Sequence, residues 1–304
     1  MRQDVIPFFD VGAIASTIVD FLRNNFDPLF QAIAAVINFV VGYLTLFLNW
    51  LPVWLVFLVL AILAIWRVGW QFTLFVIISF LIVMDMNLWP ETMDTLALVI
   101  GSTVVTLGIG LPLGVAMAKS NIVAAIVRPI LDFMQTLPAF VYLIPAAMFF
   151  GLGAVPGAIA TVIFSMPPAV RLMNLGIRQV NEENVEAGLA FGCNPLQLLY
   201  KVQLPLAMPS IMAGINQTIM LSLSMVVIAS MIGAGGLGDT VLTGIQRLNV
   251  GLGFEGGLGV VILAILLDRI TQSFGFSTRS QTTPLDRLKQ LFSGQTDKPE
   301  SKEA

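Results

Sequence analysis

Apolar positions in this chain run on without alternation, and short polar clusters set the runs apart. A helix that crosses a bilayer needs about 20 predominantly apolar residues. Runs of that kind fall at 51–66, 70–88, 93–118, 124–150, 153–175, 206–233 and 256–276, which predicts seven spanning helices. Residues 11–27 mix apolar positions with Asp20, Arg23 and Asp27, the pattern of an amphipathic helix lying on a membrane. Residues 28–48 carry no charge and suit either an eighth span or an interfacial helix, with Gln31 and Asn38 as their polar points. The expected organisation is a lead-in over 1–50, a transmembrane domain over 51–276 holding a polar loop at 176–205, and a polar tail over 277–304. Within the tail, Pro284 to Phe292 is predicted to form one short helix.

Composition narrows the class. Hydrophobic residues make up 57% of the chain and charged ones 11%, against roughly 25% charged in a soluble domain. Continuous runs rather than period-two alternation argue for an all-α integral membrane protein and against a β-barrel. The single Cys193 rules out an intramolecular disulfide, and the absence of histidine excludes His-based metal sites, triads and pH switches. The start, MRQDVIPFFD, lacks the form of a cleavable signal peptide, because Asp4 and Asp10 interrupt it. A net charge of −3 implies no particular partner, and nucleic acid is not expected.

Charge placement says more. With the 176–205 loop on the inner side, all of the 15 Lys and Arg residues except Arg2, Arg23 and Arg247 lie at or near the inner face. Cytoplasmic loops are the ones enriched in Lys and Arg, so the carboxyl terminus is expected inside. No internal repeat is visible, which weakens an inverted-repeat secondary transporter. Gly110-x-x-x-Gly114 and Gly153-x-x-x-Gly157 have the spacing that lets helix backbones approach closely.

The stretch VEAGLAFGCNPLQLLYKVQLP, Val185 to Pro205, is more elaborate than a connector requires. Asn184 is placed to cap a helix through Ala190 or Phe191, and Gly192 to end it in a left-handed conformation. Asn194 caps again, with Pro195 at the first helical position. A helix-turn-helix with an apolar stripe of Val185, Leu189, Leu196 and Leu199 is predicted. The nearest approach to a phosphate loop, LGVAMAKS at 113–120, has Leu113 and Ala118 where glycines are required, so the chain is not expected to be an enzyme.

Here a family resemblance enters. Glu186-Ala187-Gly188, Gly192, and Val202-Gln203-Leu204-Pro205 resemble the EAA signature of ABC importer permeases in spacing throughout, with Gly188 for alanine and Val202 for isoleucine as departures. LDFMQTLPAFVYLIP (131–145), KVQLPLAMPSIMAGINQT (201–218) and LSMVVIASMIGAGGLG (223–238) are similar to the permeases of proline/glycine betaine uptake systems, and the likeness covers about residues 90–275.

The resemblance implies a type I importer permease in a bacterial inner membrane. Two copies would form the pathway, two cytoplasmic ATPases would use ATP and magnesium, and a periplasmic or lipid-anchored binding protein would deliver the solute. This chain itself would hold no cofactor or metal. Glu186, Ala187, Gly188, Gly192, Leu204 and Pro205 would form the ATPase-coupling element, with Glu186 capping backbone or pairing with a basic group.

Polar groups within spans are costly and therefore informative. Gln135, Thr136, Tyr142, Asn216, Gln217 and Ser222 are the candidates for the translocation path, against the alternative of helix–helix hydrogen bonding. Asp132, Gln135 and Thr136 share one helix face, and for Asp132 a structural pair with Arg128, four residues back, stands at least level with a substrate role. Tyr142, Phe140 and Phe133 offer an aromatic surface to a quaternary ammonium, and Pro138, Pro145, Pro167 and Pro168 offer bends. In GAGGLGDTVLTGIQRLN (233–249), Gly235, Gly236, Asp239 and Arg247 are candidates for an outer gate or docking surface; the plainer reading is a flexible turn with a half-inserted helix. Other solutes of the same importer class are choline, carnitine, proline and trimethylamine N-oxide. A gradient-driven secondary transporter or a purely structural membrane subunit would leave the 185–205 motif unexplained.

Overall fold

The structure, a computed structural model, describes residues 11–275. The expectations for MRQDVIPFFD and for the tail over 277–304 lie outside the described residues. In chain order the helices are α1 (Val11–Trp50), α2 (Val53–Arg67), α3 (Trp70–Asp85), α4 (Trp89–Lys119), α5 (Asn121–Thr136), α6 (Leu143–Phe150), α7 (Ala154–Arg178), α8 (Glu182–Ala190), α9 (Pro195–Leu198), α10 (Leu204–Ala229), α11 (Leu237–Gln246) and α12 (Val250–Gly275). No strand occurs among the described residues.

The packing centres on α7, which lies between α4 and α10. Small residues make the approach close. A Cβ on Gly114 would stand 2.6 Å from Met173 Cβ and 2.8 Å from the Val170 carbonyl, and one on Gly157 would stand 2.8 Å from Ala234 Cβ. Both glycine pairs singled out by spacing therefore have a residue pressed against a neighbour. Buried hydroxyls tie the same helices together: Thr106 and Ser165 lie 3.3 Å apart, and the Thr103 hydroxyl reaches Ser222 at 3.3 Å. α12 packs on α10 and α11.

The amphipathic and the uncharged amino-terminal stretches form one 40-residue helix, α1, broken at Phe26 (φ −119°) just before Pro28. Proline removes a helical donor and crowds the preceding turn, which accounts for the break. Beyond it the helix joins the bundle: Val41 packs on Gly101, and the Asn49 amide donates to Asp94 at 2.7 Å.

Five described helices are long and apolar enough to cross a membrane, six if a bent pair counts as one span. The expected 124–150 span is that pair. α5 and the segment 139–150 meet at 108°, and the chain turns at Leu137-Pro138, because a residue before proline is pushed out of the helical region. α2 and α3 have only 15 and 16 residues, about 22 and 24 Å at helical rise, against a hydrocarbon core of about 30 Å. Exposed Trp50 and Trp54 stand near one end of this hairpin and Trp66 and Trp70 near the other, the placement of membrane-interface aromatics. Arg67 stacks over Phe274 of α12 at 4.1 Å.

Candidate functional site: the turns at the two ends of the bundle and the polar faces between them

The 185–205 stretch forms a hairpin at the end of the bundle that carries Lys119 and Arg178. There the Arg178 guanidinium donates to the Met117 carbonyl at 2.7 Å and to Asn121 at 2.9 Å, and the Lys119 ammonium donates to Gln203 at 2.6 Å. The cap of α8 is Asn181 rather than Asn184: its side chain accepts from the Glu183 amide at 3.2 Å, so the helix starts at Glu182. The earlier start places Glu182 and Glu183 in the first turn, where the helix dipole favours negative charge.

At the other end of α8, Gly192 has φ +79°. Its amide donates to the Leu189 carbonyl at 2.9 Å, and the Cys193 amide to Gly188 at 3.1 Å. This is the Schellman ending that a left-handed glycine allows. Asn194 and Gln197 then close a reciprocal capping box, at 2.8 and 3.0 Å, with Pro195 at the helix start. The second arm does not stop before the span. It passes through a π turn, Leu199–Gln203, into α10. The wider turn falls where Pro205 crowds the Lys201 carbonyl four residues back.

The apolar stripe is divided. Leu198 and Leu199 are buried and Val185 is half-buried, but Leu189 and Leu196 are exposed, as are Tyr200 and Phe191, the last at 90%. The stripe was read from helical spacing alone, and the tight Gly192 turn rotates the second arm so that Leu198 meets α8. Gly188 is what lets it meet: a Cβ there would stand 2.7 Å from Leu198 Cδ1 and 3.3 Å from Val202 Cγ2. Among the described residues, Glu186 makes neither a backbone cap nor an ion pair. It sits on the rim of a cleft of about 330 Å³ with Lys119, Arg178, Glu182 and Gln203.

The path candidates separate into two groups. Tyr142, Asn216 and Ser222 each hold a hydrogen bond to another segment of the bundle. The Tyr142 hydroxyl donates to the Met134 carbonyl and its ring packs edge-on to Phe164; Asn216 donates to Asp268 at 2.8 Å; Ser222 accepts from Thr103. Gln135, Thr136 and Gln217 are exposed, as are Met220 and Ser224 on the same helix as Gln217. Phe133 and Phe140 are also exposed, but with Tyr142 at 7% the three do not form one aromatic surface. Asp132 pairs with Arg171 of α7, not with Arg128. Helical spacing allowed the local pair; the tertiary packing of α5 on α7 supplies the other cation. Asp268, which also accepts from Gln272 at 2.7 Å, went unnoticed in the sequence, although a carboxylate inside an apolar run is itself the signal.

The glycine-rich turn at the opposite end is anchored, not loose. Gly233, Gly235 and Gly236 all have positive φ, between +73° and +81°. That path brings Gly236 against Thr95, whose hydroxyl accepts from the Leu237 amide at 2.8 Å, and leaves Leu237 fully buried. α11 then lies against the start of α12, where a Cβ on Gly244 would stand 2.5 Å from Gly253 Cα. Of the four candidates here, Gly236 is buried and Gly235 partly so, while Asp239 and Arg247 are exposed. Leu248, Val250 and Phe254 follow them, apolar and exposed.

Comparison with known proteins bears on the family and the fold. The family described as binding-protein-dependent transport system inner membrane component matches residues 110–279. The glycine betaine/carnitine transport permease protein of Listeria monocytogenes is 48% identical over 91% of this chain and 99% of its own length. The glycine betaine/proline betaine transport system permease protein of Escherichia coli is 48% identical over 86% of this chain and 74% of its own. The glycine betaine transport system permease protein of Bacillus subtilis is 44% identical over 92% and 99%. Among solved structures, an inward-facing form of the MetNI methionine ABC transporter superimposes with a TM-score of 0.56 over 63% of this chain and 96% of that one, at 22% identity, which speaks to the fold. With a family match over more than half its length and relatives this similar end to end, the chain belongs to the binding-protein-dependent transport system inner membrane components.

Proposed function

We propose that the chain is the permease subunit of an ATP-driven importer for glycine betaine and related compatible solutes, moved by a separate ATPase through the α8–α9 hairpin. The observation that carries this reading is the hairpin's construction. Its backbone is closed by the Asn181 cap, the Gly192 ending and the Asn194–Gln197 box, yet it holds Leu189, Phe191, Leu196 and Tyr200 out. Apolar side chains on a rigid polar scaffold suit a protein partner better than solvent. The solute class is supported by the names of the three relatives, each of which includes glycine betaine.

In this reading, Glu186, Ala187, Gly188 and Gly192 shape the coupling element, and Leu204-Pro205 joins it to α10. Because the joint is a continuous helical path, a push on the hairpin reaches the α7–α10 packing directly. ATP and magnesium belong to the ATPase. A second copy of the chain covers the exposed Gln217, Met220 and Ser224 line of α10, with Gln135 and Thr136 beside the pathway. The membrane is a bacterial inner membrane, with the hairpin and the carboxyl terminus on the cytoplasmic side, as the Lys and Arg distribution favours. Residues 51–276 form the transport domain with 176–205 as its coupling loop, and 277–304 form a tail. A binding protein docks at the opposite end, near Asp239, Arg247 and Leu248.

Reconstitution with the cognate ATPase and binding protein tests the proposal. Glycine betaine is expected to stimulate ATP hydrolysis and accumulate in the vesicles. Phe191→Ala is expected to lower the stimulated rate at least about tenfold while leaving the permease folded, the cost of about 2 kcal/mol that a central interface aromatic carries. Uptake of betaine by this chain with no ATPase present would overturn the reading.

A further inference from the structure

α5 presents three faces. Ala124 and Leu131 are buried against Met117 and Val170. Ile122, Ile126, Ile130 and Phe133 recur at helical spacing, exposed and apolar, as a lipid-facing stripe does. The third face carries Asp132, Gln135 and Thr136, all exposed as well. Charged and polar groups at membrane depth face a cavity or a protein partner rather than lipid, so this third face turns toward one of those and not toward lipid.

Against Asp132 stands Arg171, and theirs is the one ion pair among the described residues, with side chains 66% and 40% exposed. Arg171 is seven residues, about 10 Å at helical rise, from Arg178, which marks the basic end of the bundle through its bonds to Met117 and Asn121. The pair therefore sits within the spans and not at their rim. Two turns further along α7 the same helix face carries Phe164, packed on Tyr142.

We infer that Asp132 and Arg171 form a transfer point for a zwitterionic solute, whose carboxylate takes the Arg171 guanidinium as its quaternary ammonium takes the Asp132 carboxylate. The inference rests on the solute class proposed above. The pair and the solute are each net neutral, so exchanging partners leaves no charge unpaired at membrane depth. An exposed ion pair opens at little cost, which lets a solute enter it and leave it again. A solute carrying one charge would pair with one residue and abandon the other, so the pair favours zwitterions over bare cations. Guanidinium and carboxylate also match in geometry, which gives the arginine side of the exchange its direction.

The test uses the complete importer in proteoliposomes and reads glycine betaine imported per ATP hydrolysed. In the double variant Asp132→Asn with Arg171→Gln, amide groups keep a hydrogen bond between α5 and α7 but both charges are gone. Betaine-stimulated hydrolysis is expected to hold near the wild-type rate while import per ATP falls at least about tenfold, as for loss of a charge-assisted contact. Asp132→Glu with Arg171→Lys keeps both charges and is expected to recover most of the import. An unchanged ratio in the neutral variant would overturn the inference, as would import and hydrolysis falling in step, the mark of a structural tie. A wild-type complex that imports no betaine would instead overturn the proposed function itself.

Discussion

The hairpin at 181–203 and the glycine-rich turn at 233–249 close opposite ends of one bundle, and they treat their apolar side chains in opposite ways. The hairpin satisfies its backbone by itself, through two asparagine caps and a Schellman ending, and leaves Leu189, Leu196 and Phe191 outside. The glycine-rich turn satisfies its backbone by borrowing from the bundle, the Leu237 amide on Thr95, and puts Leu237 inside. One glycine from each, Gly192 at the hairpin turn and Gly244 within α11, differs from the other in the same sense. A Cβ on Gly192 meets nothing within 4 Å, whereas one on Gly244 meets Gly253 backbone at 2.5 Å. Self-contained closure lets an element move as a body against its neighbours; borrowed closure makes it part of what it leans on.

The sharpest way to break that comparison is to place the same side chain at both ends. Gly244→Val drives two methyl groups into the α12 backbone, and overpacking of this kind costs about 3 kcal/mol. Gly192→Val meets only the left-handed strain of roughly 1–2 kcal/mol, confined to the hairpin. Thermal unfolding in detergent is therefore expected to drop clearly for Gly244→Val and little for Gly192→Val, while the latter loses ATPase coupling. Equal drops would mean that the hairpin is welded to the bundle as firmly as α11 is.

A smaller effect is expected at Thr95. Thr95→Val keeps the shape and removes the acceptor, leaving the buried Leu237 amide without its partner, a cost of about 1–3 kcal/mol. Amide exchange at Leu237 should quicken accordingly, and Thr95→Ser should restore protection. Unchanged exchange in Thr95→Val would show that the turn is held by Leu237 packing alone.

What was legible beforehand follows the range of the interaction. Gly192, Asn194 and Pro195 act over two or three residues, and their roles could be read from adjacency alone. The bend at Leu137-Pro138 was equally local in cause, but the apolar run continues through it, so hydropathy counted one span where the chain makes two axes. Long-range partners were hidden. Arg171 lies 39 residues from Asp132, and Thr95 lies 142 residues from Leu237. No periodicity encodes such distances, and the nearer Arg128 was the natural but mistaken partner. Gly188 belongs with these: as a departure from the signature alanine it reads as a small loss of helix propensity, while in the fold it is the contact that seats α8 on Leu198.

The smallest effect discriminates between two readings of the same hairpin. Asn181 and Asn184 stand one turn apart, and only one of them accepts a hydrogen bond at the start of α8. Asn181→Ala should therefore loosen the first turn of α8 by about 1 kcal/mol, seen as roughly fivefold faster exchange at the Glu183 amide. Asn184→Ala, inside the helix, replaces a weak helix former by the strongest one and should leave that exchange unchanged or slower. Because Glu182 and Glu183 occupy the turn that Asn181 closes, fraying there also disperses the negative charge at the cleft rim beside Lys119 and Arg178. Coupling to the ATPase should then weaken slightly in Asn181→Ala and not in Asn184→Ala. The reverse order would return the cap to Asn184 and shorten the rigid part of the hairpin by one turn.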